Sequence, residues 1–109
     1  MHLISYLQDG TLTIVLSGEI DHHNAAKLRN DIDEAVENAY PEILILDFGG
    51  VTFMDSSGIG LVIGRCKLMK NISGKIAVIN APKYIKKVMR MAGIEKLLTE
   101  ENKKEGSFA

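Results

Sequence analysis

Short strand-like and helical patterns alternate along this chain, and this alternation limits the folds that it can adopt. The apolar run of residues 43–48 has the composition of a buried strand. A helical pattern over residues 57–71 follows it, and residues 75–79 form a second buried strand. Strands joined by helices are typical of parallel sheets, so the sequence predicts the α/β class.

The first twenty residues predict an antiparallel hairpin. Strand-like runs over residues 3–7 and 11–17 flank Asp9-Gly10, a strong two-residue turn signal. In the second run, apolar residues alternate with Thr11, Thr13 and Val15, which predicts one buried face. The sheet is therefore predicted to be mixed, with the hairpin contributing its antiparallel part.

A helical spacing of apolar residues predicts a helix from residue 25 to residue 39, just before Pro41. We expect Gly18 to end the preceding strand and Asp21 to cap this helix. A later helix is expected to begin at Pro82 and to end at Gly93. Its basic residues share one side, and its apolar residues face the core: Lys83, Lys86, Lys87 and Arg90 against Ile85, Val88 and Met91.

Composition and charge favour one cytoplasmic domain over residues 1–109, with a polar tail from about residue 100. The chain is 46% hydrophobic and has a single cysteine, Cys66, which suits a reducing compartment. We expect no signal peptide and no membrane span. A net charge of −1 and a pI near 6.3 argue against a nucleic-acid partner, and the basic helix is interpreted as a solvated face, with a protein partner as the alternative.

An aspartate and two serines, Asp55-Ser56-Ser57, stand where the buried strand gives way to the next helix. Aspartate and serine are favoured N-cap residues, so a purely structural role explains them well. The first N–H groups of a helix also favour an anion, and a hydroxyl there can carry a phosphate ester. Both interpretations remain open on physical grounds.

Catalytic, metal and cofactor sites are not supported. The glycines at 58, 60 and 64 fail the dinucleotide fingerprint, which needs glycine where Ile63 stands, and no P-loop is present. Gly60 and Gly64 are therefore expected to pack a helix against the sheet. The hydrolase pattern Gly-x-Ser-x-Gly is absent, and the side chains of the adjacent His22 and His23 are expected to diverge, which leaves no zinc ligand cluster.

Two segments together carry a resemblance to a known family. Residues 18–25, Gly-Glu-Ile-Asp-His-His-Asn-Ala, and residues 53–60, Phe-Met-Asp-Ser-Ser-Gly-Ile-Gly, closely resemble sporulation anti-sigma factor antagonists of the STAS domain family. The similarity extends from about residue 3 to residue 98. It implies a small mixed sheet flanked by helices, which agrees with the pattern above.

The resemblance also implies a partner switch. The serine that follows the aspartate, Ser56 here, is expected to be phosphorylated by an anti-sigma factor that is also a serine kinase. The unphosphorylated chain would bind that kinase and release a sporulation sigma factor, and a serine phosphatase would reverse the modification. ATP belongs to the kinase, so no cofactor and no enzymatic activity are expected, and the free chain is expected to be a monomer.

The expected partner surface joins both segments, because functional loops gather at the carboxyl ends of parallel strands. Its residues are Asp21, His22, His23, Asp55, Ser56, Ser57 and Gly58. Phosphorylation is expected to change this surface and not the fold, since the apolar run ends at Phe48 and Gly49-Gly50 lie in a loop. The alternatives are a STAS module of a general-stress or transporter-associated system, or a weak nucleotide-binding protein.

Overall fold

The computed structural model describes residues 1–97, which form a four-stranded mixed sheet and three α-helices. The strand order is β1-β2-β3-β4; β1 is antiparallel to β2, and the other pairs are parallel. The predicted α/β class is confirmed. In chain order the elements are β1 (His2–Gln8), β2 (Thr11–Ile20), α1 (Ala25–Ala39), β3 (Ile43–Met54), α2 (Ser56–Asn71), β4 (Lys75–Ile79), α3 (Lys83–Met91) and a 3-10 helix (Ile94–Leu97).

The predicted hairpin joins β1 to β2. Asp9 and Gly10 have φ angles of 51° and 80°, and Gln8 pairs with Thr11 across them. Two successive positive φ angles are those of a type I′ turn, whose twist matches the twist of the flanking strands. The turn thereby sets the register of the whole β1–β2 pair.

One face of the sheet and the inner sides of the helices form the core. Leu12, Ile14 and Leu16 of β2 are buried, as their alternation predicted. In α3, Ile85 and Met89 are buried, whereas Met91 is 79% exposed, so the prediction that Met91 faces the core is wrong. Met91 lies six residues after Ile85, and at about 100° per residue this places it on the other side of the helix.

Both central strands are longer than the sequence predicted. β2 continues through Gly18, whose φ of +106° accompanies register shifts in the pairing with β3, so Gly18 does not end the strand. β3 continues through Gly49-Gly50 as far as Met54, and both Val51 and Met54 are buried. The expected glycine loop is therefore part of a strand. The extension carries both strands to the same edge of the sheet.

The helix ends follow the predicted signals with small differences. Pro82 was predicted to be the first helical residue of α3, but it occupies the N-cap position, and the helix begins at Lys83. Gly93 follows the helix with a φ of +78°, as expected of a C-terminal glycine. The predicted polar tail lies outside the described residues. None of the helices in residues 1–97 has both the length and the apolar character of a membrane-spanning segment.

Candidate functional site

The parallel pairing of β2 with β3 brings the two sequence segments together. Ile20 pairs with Met54 at the last position of both strands, and the Asp55 amide donates to the Ile20 carbonyl at 3.2 Å. The segment that begins at Asp21 and the start of α2 are therefore neighbours. The prediction that both lie at the carboxyl edge of the sheet is confirmed.

Asp55 is the N-cap of α2. Its backbone is extended, and its Oδ1 accepts a hydrogen bond from the Ser57 amide at 2.8 Å. Ser56 is the first helical residue and is exposed, whereas Ser57 is half-buried. The structural interpretation of Asp55 as a cap is thus correct, and the cap leaves the Ser56 side chain accessible to solvent.

The carboxylate of Asp55 remains ionised beside Ser56. Partial burial works against the charged form, but hydrogen bonds from Ser57 and the nearby His22 outweigh it and hold the pKa of Asp55 below its ordinary value of 3.8. His22 Nδ1 lies 3.9 Å from Asp55 Oδ2. A negative charge is therefore present near the Ser56 hydroxyl at neutral pH.

Asp21 makes the hydrogen bonds of an N-cap, as predicted, but one turn before α1 begins, and its carbonyl accepts from the Ala25 amide at 2.9 Å. Its Oδ1 accepts from the His23 amide at 2.9 Å and from the Asn24 amide at 3.2 Å. Asn24 occupies the N-cap position without capping the helix through its side chain. Its Oδ1 accepts from the Asp21 amide at 3.1 Å, and its Nδ2 donates to the Glu19 carbonyl at 2.7 Å. Residues 22–24 form a turn that separates Asp21 from the helix start.

The imidazoles of His22 and His23 do not diverge as predicted. Their ring centroids lie 4.0 Å apart, and the ring planes are inclined at 37°. Both residues are exposed, and His22 is the one that faces Asp55. In residues 1–97, no group of three or more histidine, cysteine or carboxylate side chains is arranged to hold a metal ion.

Gly58 is the glycine that lets α2 approach the sheet. A Cβ at this position would overlap Met54 Cγ, and it would lie 2.7 Å from Met54 Sδ and 3.1 Å from Ile20 Cγ2. At Gly60 and Gly64 a Cβ would meet nothing within 4 Å, so the prediction that these two pack on the sheet is wrong. Gly58 is buried, and it therefore positions the site without offering a surface to a partner.

A shallow groove of about 350 Å³ lies between the starts of α1 and α2. Its lining comprises His22, Ala25, Ala26, Arg29, Ser57, Gly60 and Leu61. Among these, only His22 and Ser57 were predicted from the sequence. The others follow at helical spacing from those two residues, so this spacing was the signal that could have identified them.

A buried ion pair that the sequence analysis missed joins α1 to α2 behind this groove. Arg65 Nε lies 3.1 Å from Asp33 Oδ1, and the Arg65 side chain is only 9% exposed. Burial lowers the pKa of Arg65, the nearby Asp33 carboxylate opposes that shift, and Arg29 adds to it. The orientation is not that of a hydrogen bond, so the attraction is chiefly between charges. The pair ties together the two helices whose starts form the site.

Comparison with known proteins identifies relatives over most of the chain. The family described as STAS domain matches residues 3–106. The chain is 36% identical over 89 residues to an anti-sigma F factor antagonist of Paenibacillus polymyxa, and the aligned region covers 82% of this chain and 76% of the relative.

Two solved structures extend the similarity to three dimensions. The first is the anti-sigma factor antagonist SpoIIAA in its unphosphorylated form, with 31% identity, a TM-score of 0.77, and coverage of 92% of this chain and 90% of that chain. The second is the Bacillus cell fate determinant SpoIIAA in the phosphorylated form, with 30% identity, a TM-score of 0.70, and coverage of 95% and 97%. Both states of that protein share the fold described above.

Proposed function

We propose that this chain, which belongs to the STAS domain family and is an anti-sigma factor antagonist, controls a sporulation sigma factor through phosphorylation of Ser56. It is a regulatory protein and not an enzyme. The unphosphorylated chain binds an anti-sigma factor that is also a serine kinase and thereby releases the sigma factor. A serine phosphatase restores this form after phosphorylation. These steps take place in the cytoplasm, and the free chain is a monomer.

The observation that carries the assignment is the exposure of Ser56 at the first position of α2. The preceding Asp55 satisfies the Ser57 amide, so the Ser56 hydroxyl is not needed as a cap. Ser57, in contrast, is half-buried and adjoins both the cap and the groove. A kinase therefore reaches Ser56 without unwinding the helix.

Charge explains how the modification prevents binding. A phosphoserine adds about 1.5 to 2 negative charges at neutral pH. At Ser56 that charge stands beside the ionised Asp55, on the edge where His22 and His23 are also exposed. Repulsion and lost contacts of about 3 kcal/mol weaken binding more than 100-fold. The helix N-terminus favours an anion, so the fold tolerates the same charge.

The fold is preserved on phosphorylation for a different reason from the one that the sequence suggested. No glycine loop insulates Ser56 from the core, because buried Met54 and Gly58 lie two residues to either side. Preservation of the fold depends instead on the exposure of Ser56, whose phosphate enters solvent. The resemblance to both the unphosphorylated and the phosphorylated SpoIIAA supports this proposal.

Phosphate mapping with the cognate kinase tests the assignment. After incubation with kinase and ATP, mass spectrometry should locate one phosphate on Ser56, and Ser56→Ala should remain unmodified. Phosphate on Ser57 in the parent chain would refute the proposal. Pull-down of the kinase should succeed without modification and fail after it.

A backbone comparison tests the surface mechanism separately. Free and phosphorylated chains should agree within about 1 Å, as is common for pre-organised binding partners. Amide chemical shifts should change near Asp21 and over residues 55–60. Extensive changes in β4 would show a conformational switch and exclude a mechanism based on surface charge alone.

The sporulation assignment depends on the segment from Asp21 to His23 and on the relatives described above. Binding to a sporulation anti-sigma kinase should be at least tenfold tighter than binding to a general-stress anti-sigma kinase. The opposite preference would retain the switch and reassign the chain to a general-stress system. Binding of ATP or GTP by the isolated chain would instead support the nucleotide-binding alternative.

A further inference from the structure

β1 is an edge strand that lacks the usual protection against pairing with another strand. It pairs with β2 through seven consecutive residues without a register shift, and within residues 1–97 no strand pairs with its other side. Ile4, Tyr6 and Leu7 are 66%, 54% and 54% exposed. Edge strands are commonly protected by lysine, proline or a bulge, but β1, His-Leu-Ile-Ser-Tyr-Leu-Gln, has none of these. Its outer backbone groups are therefore suited to strand addition.

A groove of about 440 Å³ runs between this strand and α1. Its lining combines apolar side chains with carboxylates. The apolar side chains include those of Leu3, Leu7, Ala35 and Ala39, and the carboxylates are those of Asp31 and Glu34. A segment that adds to β1 would place every second side chain over this groove, because strand side chains alternate between the two faces of a sheet.

The charges of α1 indicate the chemistry of such a segment. After Arg29 the helix carries Asp31, Asp33, Glu34 and Glu37, and its last turn has no basic residue. Of these, Glu37 lies in the last turn, where the helix dipole opposes an acidic group, whereas Asp31 and Glu34 stand in the middle of the helix and line the groove. Asp31 pairs with Lys27 at 2.9 Å and Asp33 with Arg65, which leaves the exposed Glu34 as the principal charge of the groove.

We propose that the free edge of β1 and this groove bind an extended segment of a partner protein in which lysine or arginine alternates with β-branched apolar residues. The basic side chains lie over the groove, where their methylene groups cover Leu3 and Leu7 and their charged ends reach Glu34. The intervening apolar residues pack beside Ile4 and Tyr6 on the opposite face of the sheet.

A heterologous partner fits this surface better than a second copy of the chain. Pairing of two β1 strands about a two-fold axis would bring two acidic α1 helices side by side, and like charges would oppose the contact. The surface is also separate from Ser56. Leu12, which lines the groove, lies at the start of β2, whereas Ser56 follows the opposite end of the neighbouring strand. The inference is therefore independent of the proposed phosphorylation switch.

An NMR titration of the full chain with a synthetic peptide tests the proposal. The probe is a capped eight-residue peptide of alternating valine and lysine, and the matched peptide carries glutamate in place of lysine. We expect the lysine peptide to shift the amides of residues 2–8 and 31–39, and the glutamate peptide to cause no shifts. Glu34→Lys should weaken binding about tenfold or more, whereas Glu37→Lys, an equal charge change outside the groove, should alter it less than about twofold.

Three outcomes of the titration and of hydrogen exchange would overturn the proposal. Absence of shifts in β1 at millimolar lysine peptide would exclude strand addition. If Glu34→Lys and Glu37→Lys weaken peptide binding equally, the attraction comes from the general charge of the helix and not from the groove. If the outer β1 amides of the free chain are already protected from hydrogen exchange, the edge is occupied. Protection that depends on concentration would identify a second copy as the occupant, and protection that does not would identify residues 98–109. Ser56→Asp should leave peptide binding unchanged. Failure of strand addition and failure of the phosphorylation switch can therefore be distinguished.

Discussion

The starts of α1 and α2 lie side by side at one edge of the sheet, yet they are held by different forces. The turn before α1 is held by side-chain hydrogen bonds, in which Asp21 and Asn24 each bind backbone groups of the other and of their neighbours. The start of α2 has one cap, Asp55, and close packing of Gly58 on Met54. The first arrangement presents His22, and the second presents Ser56.

This difference shows how an exposed serine, the proposed phosphorylation site, coexists with a well-defined helix start. Because Asp55 and Gly58 position the helix from either side of Ser56, the serine side chain has no structural task. At α1, by contrast, Asp21 and Asn24 both have structural tasks. We therefore expect substitutions at the two helix starts to separate binding from stability in different ways.

The largest expected effect is on binding at the α2 start. Ser56→Asp should weaken binding of the kinase/anti-sigma factor by about 100-fold or more, since about 3 kcal/mol of contacts and repulsion is at stake. Ser56→Ala should bind constitutively. The free energy of unfolding of both variants should match that of the parent in urea titrations. A large loss of stability in Ser56→Ala would show that the serine does have a structural task.

The packing of α2 should be the next most sensitive feature. Gly58→Ala should destabilise the fold by about 1–3 kcal/mol, because the new Cβ forces Met54 out of its position. Gly60→Ala is the matched control on the same helix. Nothing lies within 4 Å of its Cβ, and helix propensity should stabilise the chain by about 0.5–1 kcal/mol. Equal effects of the two substitutions in thermal unfolding would disprove the role of Gly58.

At the α1 start, Asn24→Ala should cost about 1 kcal/mol of stability through the loss of its hydrogen bonds to Asp21 and Glu19. Binding of the kinase should also weaken, since the turn presents His22. Asn30→Ala, an exposed position further along α1, serves as the control: it should leave binding unchanged and, through helix propensity, stabilise the chain by about 0.5 kcal/mol. Loss of stability with unchanged binding would place the partner surface away from this turn.

The smallest expected effect is the pH dependence that Asp55 contributes. Its pKa is lower in the folded chain than the ordinary 3.8, so the unfolded chain binds the proton more tightly. Its stabilising contribution is therefore complete above pH 3.8 and is lost as the pH falls through the lower folded value. The stability difference between the parent and Asp55→Asn should shrink over that range in urea titrations. A stability difference that grows towards acid pH would show that folding raises the pKa of Asp55 and does not lower it.

The interior of the fold could be predicted more reliably than the boundaries of its strands. The hairpin, α1, β4 and the end of α3 follow from local signals such as Asp9-Gly10, Pro41 and Gly93. The predicted strand ends were wrong at Gly18 and at Gly49-Gly50, because glycine usually interrupts strands. Pairing with β2 keeps β3 extended at Gly50 and beyond, and a positive φ at Gly18 accommodates a register shift. Such tertiary effects leave no local signal.

The sequence alone determined the order of the elements, the type I′ turn and the helix start at Asp55-Ser56 after a buried strand, because these depend on local backbone preferences. Tertiary structure decided which glycine meets the sheet, which side chains line the groove and how Arg65 pairs with Asp33. These features depend on how separate elements approach one another, and a residue carries no local record of a neighbour that is distant in sequence.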